Sequence, residues 1–238
     1  SGSGDILVER YVPKSNRAFR YISSPVNTTG TIRDNLQQGG LNPGDNGYES
    51  GFGTHITGST SGSNGFDATT TGNPSMFEWN EGASAWNAIP NTDTKQMNAG
   101  DAYALMIRGD RSTTLSSNTA KGPATTLRFT GTLATGNHPV DATNLSSTNG
   151  NYNLIANPYQ AIVDTKSLLE STDAADLNNI IYIYDPTLGT QGGYATVDLD
   201  TGNSSSTPNG SEANQFILPN QAFFVETIDS NNDNTVSP

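Results

Sequence analysis

Cysteine is absent from the 238-residue chain, so disulfides and thiolate metal sites are excluded. Positive charge is scarce: 11 Lys and Arg stand against 23 Asp and Glu, for a formal net charge of -12. Phosphate backbones need a basic face, so nucleic acid is an unsuitable partner. No apolar run approaches the roughly 18 residues of a membrane span. Histidine occurs only at His55 and His138, and no H-E-x-x-H or G-x-S-x-G pattern is present. Apolar residues are also few, with a mean hydropathy of -0.52. A low apolar content beside a high net charge is the composition of a disordered chain.

The distribution of residues argues otherwise. Thr, Asn, Gly and Ser are concentrated between short β-branched and aromatic runs. Those runs predict strands over 6–12, 17–23, 53–57, 75–80, 85–89, 102–108, 125–131, 152–156, 180–184, 194–198 and 222–228. In RAFRYIS, Ala18, Arg20 and Ile22 share one face, while Phe19 and Tyr21 share the other. Leu127 and Phe129 share a face in TTLRFTG. The runs AYALMIR and AFFVETI are apolar at nearly every position, which predicts strands covered on both faces. One short helix is expected over 164–171, with Asp164 or Thr165 as its N-cap. Long polar segments at 39–74, 131–150 and 201–214 read as functional or mobile loops.

The order of elements recurs. Strand pairs, an aromatic strand, a turn, a further aromatic strand and a long apolar strand appear in both halves. The anchors are Leu7 with Leu127, Pro25 with Pro158, Phe77–Glu81 with Ile181–Asp185, Trp86 with Tyr194, and Tyr103 with Phe223. Gly100-Asp101 and Asn220-Gln221 both supply a turn before the last strand. The expected fold is an all-β, antiparallel β-sandwich built from an internal duplication. Ser1–Gly4 (SGSG) reads as an added linker, residues 5–118 as the first β repeat, and 119–238 as the second, the two packed separately or as one unit.

The phrases YNLIANPY, IYIYDPTLGTQGGYATVDLDTG and ILPNQAFFVET in the second half carry a resemblance, together with VERYVPKSNRAFRYISSPV, NGFDATTTGNPSMFEWNE and AGDAYALMIRGDR in the first. The chain resembles the β-rich regions of large secreted and surface proteins of gliding Bacteroidota. The resemblance implies export by the type IX secretion machinery and an extracellular or outer-surface location. Such regions commonly precede a C-terminal sorting domain. None follows Pro238, which implies a fragment of a larger protein.

Candidate sites are few. Asp229, Asn231 and Asp233 place oxygen ligands at the first, third and fifth positions of a calcium-loop pattern, although Asn234 stands where the turn glycine is usual. Asp198 and Asp200 form a weaker cluster. Trp79, Trp86, Tyr103 and Tyr194 are candidates for a sugar-binding platform; Trp79 and Trp86 flank a short turn and are expected as cross-strand neighbours, which equally fits a core pair. Glu78 and Glu81 beside Trp79 could imitate a glycosidase acid pair, but a solvated pair of acids is the simpler reading. Arg108-Gly109-Asp110 spells an RGD tripeptide, although Gly and Asp are also what a strand-ending turn requires. The function expected is a non-catalytic extracellular adhesion or structural module contacting a surface, glycan or protein ligand. The alternative is a carbohydrate-binding module using Trp79 and Trp86, and the remaining reading is a secreted hydrolase fragment.

Overall fold

The computed structural model describes residues 4–116, 121–136, 145–170 and 174–228. Its strands form antiparallel sheets of three, four and five strands, with two further two-stranded pairs. The first sheet has the order β1-β9-β3, from β1 (Ile6–Val12), β9 (Thr125–Leu133) and β3 (Val26–Thr28). The second has the order β2-β8-β6-β7, from β2 (Ala18–Ser23), β8 (Ala102–Ile107), β6 (Met76–Asn80) and β7 (Ala85–Ala88). The third has the order β10-β16-β12-β13-β14. Its strands are β10 (Tyr152–Ala156), β16 (Ala222–Thr227), β12 (Leu177–Asp185), β13 (Gly193–Asp198) and β14 (Ser204–Ser206). β4 (Thr57–Ser59) pairs with β5 (Asp67–Ala68), and β11 (Val163–Asp164) with β15 (Phe216–Ile217).

The four strands of the second sheet are repeated by the first four of the third, β14 being additional. β2, β8, β6 and β7 correspond in order to β10, β16, β12 and β13. The registers agree: Ile22 faces Tyr103 as Ile155 faces Phe223, and Trp79 faces Trp86 as Tyr184 faces Tyr194. The turn before the last strand is also the same. Gly100 and Asn220 are both left-handed, with φ of 90° and 60°. Asn98 N–H donates to Asp101 Oδ2, and Leu218 N–H donates to Gln221 Oε1. Ser24 N–H donates to the Asp101 carbonyl as Asn157 N–H donates to that of Gln221. By this register Pro25 corresponds to Pro158. The aromatic strand is offset by one residue from the sequence alignment, since Met76 rather than Phe77 corresponds to Ile181.

One anchor does not hold. β1 and β9 are antiparallel neighbours in the same sheet, with Leu7 opposite Thr130 and Leu127 opposite Arg10. Leu7 is 54% exposed while Leu127 is fully buried. β9 lies beyond residue 118, yet Leu127 and Phe129 join the core built by the first half. An edge strand with half its apolar groups outward gains most by pairing with the strand that covers the same core.

Burial explains the layering. Val8, Val12, Ile22, Leu105, Leu127 and Phe129 fill one core, between the first two sheets. Ile155, Ile181, Ile183, Phe223 and Val225 fill another on the outer face of the third sheet. Between the second and third sheets lies a third cluster containing Tyr21, Ala104, Leu154, Ala222 and Phe224. β8 and β16 are therefore covered on both faces, as their unbroken apolar runs require. The alternation in β2 is as expected: Ile22 points into the first core, and Tyr21 and Phe19 into the cluster between sheets.

The expected helix is present, but a further helix, the run 53–57 and the short strands β3, β5, β11, β14 and β15 differ from expectation. The helix over Thr165–Leu169 (α2) is capped by Asp164, whose carboxylate accepts from Lys166 N–H. A second short helix, α1 (Ile32–Leu36), precedes it in the chain and was not expected. Its sign is a capping box: Thr31 and Asp34 bond reciprocally, while Ile32 and Leu36 are buried. The run 53–57 is extended but becomes a strand only at Thr57.

The long segment 39–74 is packed. Ile56 and Phe66 are core residues, and Arg111, fully buried, holds the segment from beneath. Arg111 donates to the carbonyls of Gly40, Leu41 and Thr54 and to Asn42 Oδ1, and pairs both Asp67 oxygens at 2.8 Å. Part of the segment's polarity thus serves an internal hydrogen-bond network, while residues such as 42–47 remain exposed.

Candidate aromatic ligand site

The candidate site lies where the second and third sheets meet. Trp79 and Trp86 are directly opposite on β6 and β7, with ring centroids 5.1 Å apart and planes at 72°. Both pack edge-on against Phe224 of β16, at 4.8 and 5.7 Å. Tyr152 and Tyr182 meet at 5.4 Å and 78°. These rings, with Tyr194 and Ser84, line a cleft of about 470 Å³. Trp86 also borders a crevice of about 200 Å³ lined by Phe19, Tyr21, Phe77 and Tyr184. β7 is an exposed edge strand, so the cleft opens where that sheet ends.

Most polar handles in the cleft are engaged by the protein. The Trp79 indole N–H donates to the Tyr152 carbonyl at 2.7 Å. The hydroxyls of Tyr21 and Tyr194 are hydrogen-bonded to each other. Burial, then a bond to Tyr152 and the nearby charge of Glu226, push the Tyr182 hydroxyl up to about 12. Burial likewise raises Tyr21 far above the ordinary phenol range, with its bond to Tyr194 adding to the effect. The cleft therefore presents ring surfaces, with neutral phenols at its margin.

A polar opening of about 460 Å³ adjoins it and shares Trp79. Glu78, Asn80, Glu81, Asn87, Ser147 and Thr148 line it. Glu78 is held by Lys95 Nζ at 2.6 Å. Burial raises the Glu81 carboxyl, partly offset by backbone hydrogen bonds including one from Leu154.

The remaining expected residues are placed as follows. His55 lies in a buried network, its Nδ1 at 3.3 Å from Asp67 Oδ1 and its Nε2 at 2.9 Å from the Arg111 carbonyl. Burial alone would raise the Asp67 carboxyl. The approach of His55 and the paired bonds and charge of Arg111 outweigh it and hold Asp67 well below the usual range. Arg108 and Asp110 of the RGD tripeptide are 7% and 3% exposed, so the tripeptide is a buried turn. Asp110 accepts from Gly51 N–H and Ser112 N–H. Asp198 caps a turn, accepting from the N–H groups of Asp200 and Thr201, and Asp200 accepts from Asn179. Asp229, Asn231 and Asp233, and His138, lie outside the described residues. Among the described residues no group of three or more His, Cys, Asp or Glu could hold a metal ion.

Sequence reasoning found Trp79, Trp86 and Tyr194 but not Tyr152, Tyr182 and Phe224, and Tyr103, expected with them, is buried in the first core instead. The available sign was the duplication itself, because Tyr184 and Tyr194 repeat the positions of the two tryptophans.

The fold and cleft define an all-β protein with an aromatic site between two related sheets. The chain belongs to a family described as a domain of unknown function (DUF8693), whose model matches residues 57–237. Every ring of the cleft lies inside that match. No curated protein and no solved structure matches the chain.

Proposed function

We propose that the chain is a non-catalytic binding module of a bacterial secreted or surface protein, acting in adhesion through the aromatic cleft. The cleft carries the reading: ring walls from both sheets converge on one opening of about 470 Å³, a shape suited to holding a ligand. A non-catalytic role is supported by the state of the would-be catalytic groups. His55 Nε2 is held by a backbone carbonyl, and Glu78 is neutralised by Lys95. The extracellular setting rests on the resemblance to exported Bacteroidota proteins and on the acidic composition.

A glycan is the second reading, favoured by the adjoining polar opening that shares Trp79. The chain has two tryptophans, both in the cleft, so intrinsic fluorescence reports on the site directly. A panel of oligosaccharides and small organic ligands should change that fluorescence for at least one ligand. The Trp86→Ala variant should stay folded by circular dichroism and lose the response. Turnover of a polysaccharide or ester substrate would overturn the non-catalytic reading.

A further inference from the structure

We propose that the aromatic cleft is a cage for an organic cation of the trimethylammonium type. This rests on the binding-module reading and names its ligand class. Three observations carry it. First, the rings stand as walls: Trp79 lies at 72° to Trp86 and at 77° to Phe224, and Trp86 lies at 76° to Phe224. Rings steeply inclined to one another offer a compact ligand several aromatic contacts at the one opening they line. A flat sugar stacks best on one exposed face. Second, a neutral sugar needs hydrogen-bonding groups at the ring surface, and two of those in the cleft are engaged internally. Trp79 Nε1 is taken up by Tyr152, and the Tyr194 hydroxyl by Tyr21. Third, charge is complementary. No Lys or Arg lines the cleft. Glu226 stands directly opposite Tyr152 on the same face of the sheet as Phe224, and Asn178 donates to its Oε2 at 3.2 Å. A cation over ring faces is attracted by their quadrupoles, most strongly by tryptophan. The nearby carboxylate and the -12 net charge add to that attraction.

The test is a fluorescence titration with choline, with its neutral isostere 3,3-dimethylbutan-1-ol and with cellobiose as the neutral sugar. Choline should bind at least about tenfold more tightly than the isostere, because only the cation gains from the ring faces. Glu226→Gln should weaken choline several-fold and leave the isostere unchanged. Tyr194→Ala, at a half-exposed wall, should weaken choline while the protein stays folded. It serves in place of Trp86→Ala if that variant unfolds. Equal binding of choline and isostere would overturn the cation cage. Binding of cellobiose that requires Trp86, with no response to choline, would overturn the cage and leave the binding module standing. If no ligand of the wider panel responds either, both fall together.

Discussion

Trp79 donates its indole N–H to the carbonyl of Tyr152, so a hairpin of one sheet is fastened to the open edge strand of the next. The Glu81 carboxylate takes the N–H of Leu154 on the same edge. The reverse contact also exists: Ile22 of edge strand β2 bridges to Gln221, and Ser23 N–H donates to the Asn220 carbonyl at 3.0 Å. Each sheet thus covers the edge strand of the other, which removes two sites of unwanted strand pairing.

Trp79 therefore serves both stability and the cleft. Trp79→Phe keeps a ring but leaves the Tyr152 carbonyl without its donor, an expected loss of about 1–3 kcal/mol. Trp79→Ala also removes the ring packed on Phe224, and should cost about 3–5 kcal/mol. Urea unfolding of both variants checks the order. Equal, small losses would mean that the indole bond does not fasten the sheets.

Asp67 should dominate the acid sensitivity of the first half. Its folded carboxyl is depressed, so its contribution to stability is present above the unfolded value of 3.8 and is lost as pH falls below it. Asp67→Asn leaves Arg111 as a buried charge without its counterion, at an expected cost of about 3–5 kcal/mol. The variant should also show a flatter stability profile below pH 4. An unchanged acid profile would contradict the assigned role.

Glu81 should act in the opposite sense. Burial raises its folded value above the ordinary 4.5. The protonated folded form is then favoured, and stability falls as pH rises from 4.5 through the folded value. Glu81→Gln retains an oxygen acceptor for Leu154 and should remove that fall. Because the group is only half-buried, solvent screening keeps the effect small. Unfolding measured from pH 4 to 7 for both proteins should show two curves converging at the acid end.

The strands were legible because their apolar residues are few and grouped. With polar residues elsewhere, a run such as AYALMIR has no other place than between two cores. The turns at Gly100 and Asn220 were legible for a related reason, since only residues tolerant of positive φ fit there. The pairing of β1 with β9 was not. Leu7 and Leu127 look alike along the chain, and their difference arises only when one strand becomes an edge. The anchoring of segment 39–74 was not legible, because composition does not show which polar residues of a loop bond to a buried arginine. Arg111 sits in a turn-like RGDR stretch, where nothing local marks it as the hub. The cleft was half legible: two tryptophans across a turn are a sequence feature, but their tyrosine and phenylalanine partners arrive from strands more than 60 residues away, through sheet-on-sheet packing.

Asp110 separates a sequence motif from an accessible one. Its carboxylate accepts from Gly51 N–H at 2.8 Å and from Ser112 N–H at 2.9 Å, and the residue is 3% exposed. Gly109 is left-handed, with φ of 98°, and a Cβ there would lie 2.8 Å from the Gly122 Cα. The tripeptide is thus fixed by backbone geometry and by the two N–H groups that its carboxylate accepts from. Asp110→Ala should destabilise the protein by about 1–3 kcal/mol through those unpaired donors. Asp110→Glu, which preserves charge but not reach, should also destabilise it. In a cell-attachment assay the folded protein should be insensitive to a competing RGD peptide. Competition by that peptide against native protein, with unfolding excluded by circular dichroism, would show that the turn opens to a partner and would overturn its assignment as a structural element.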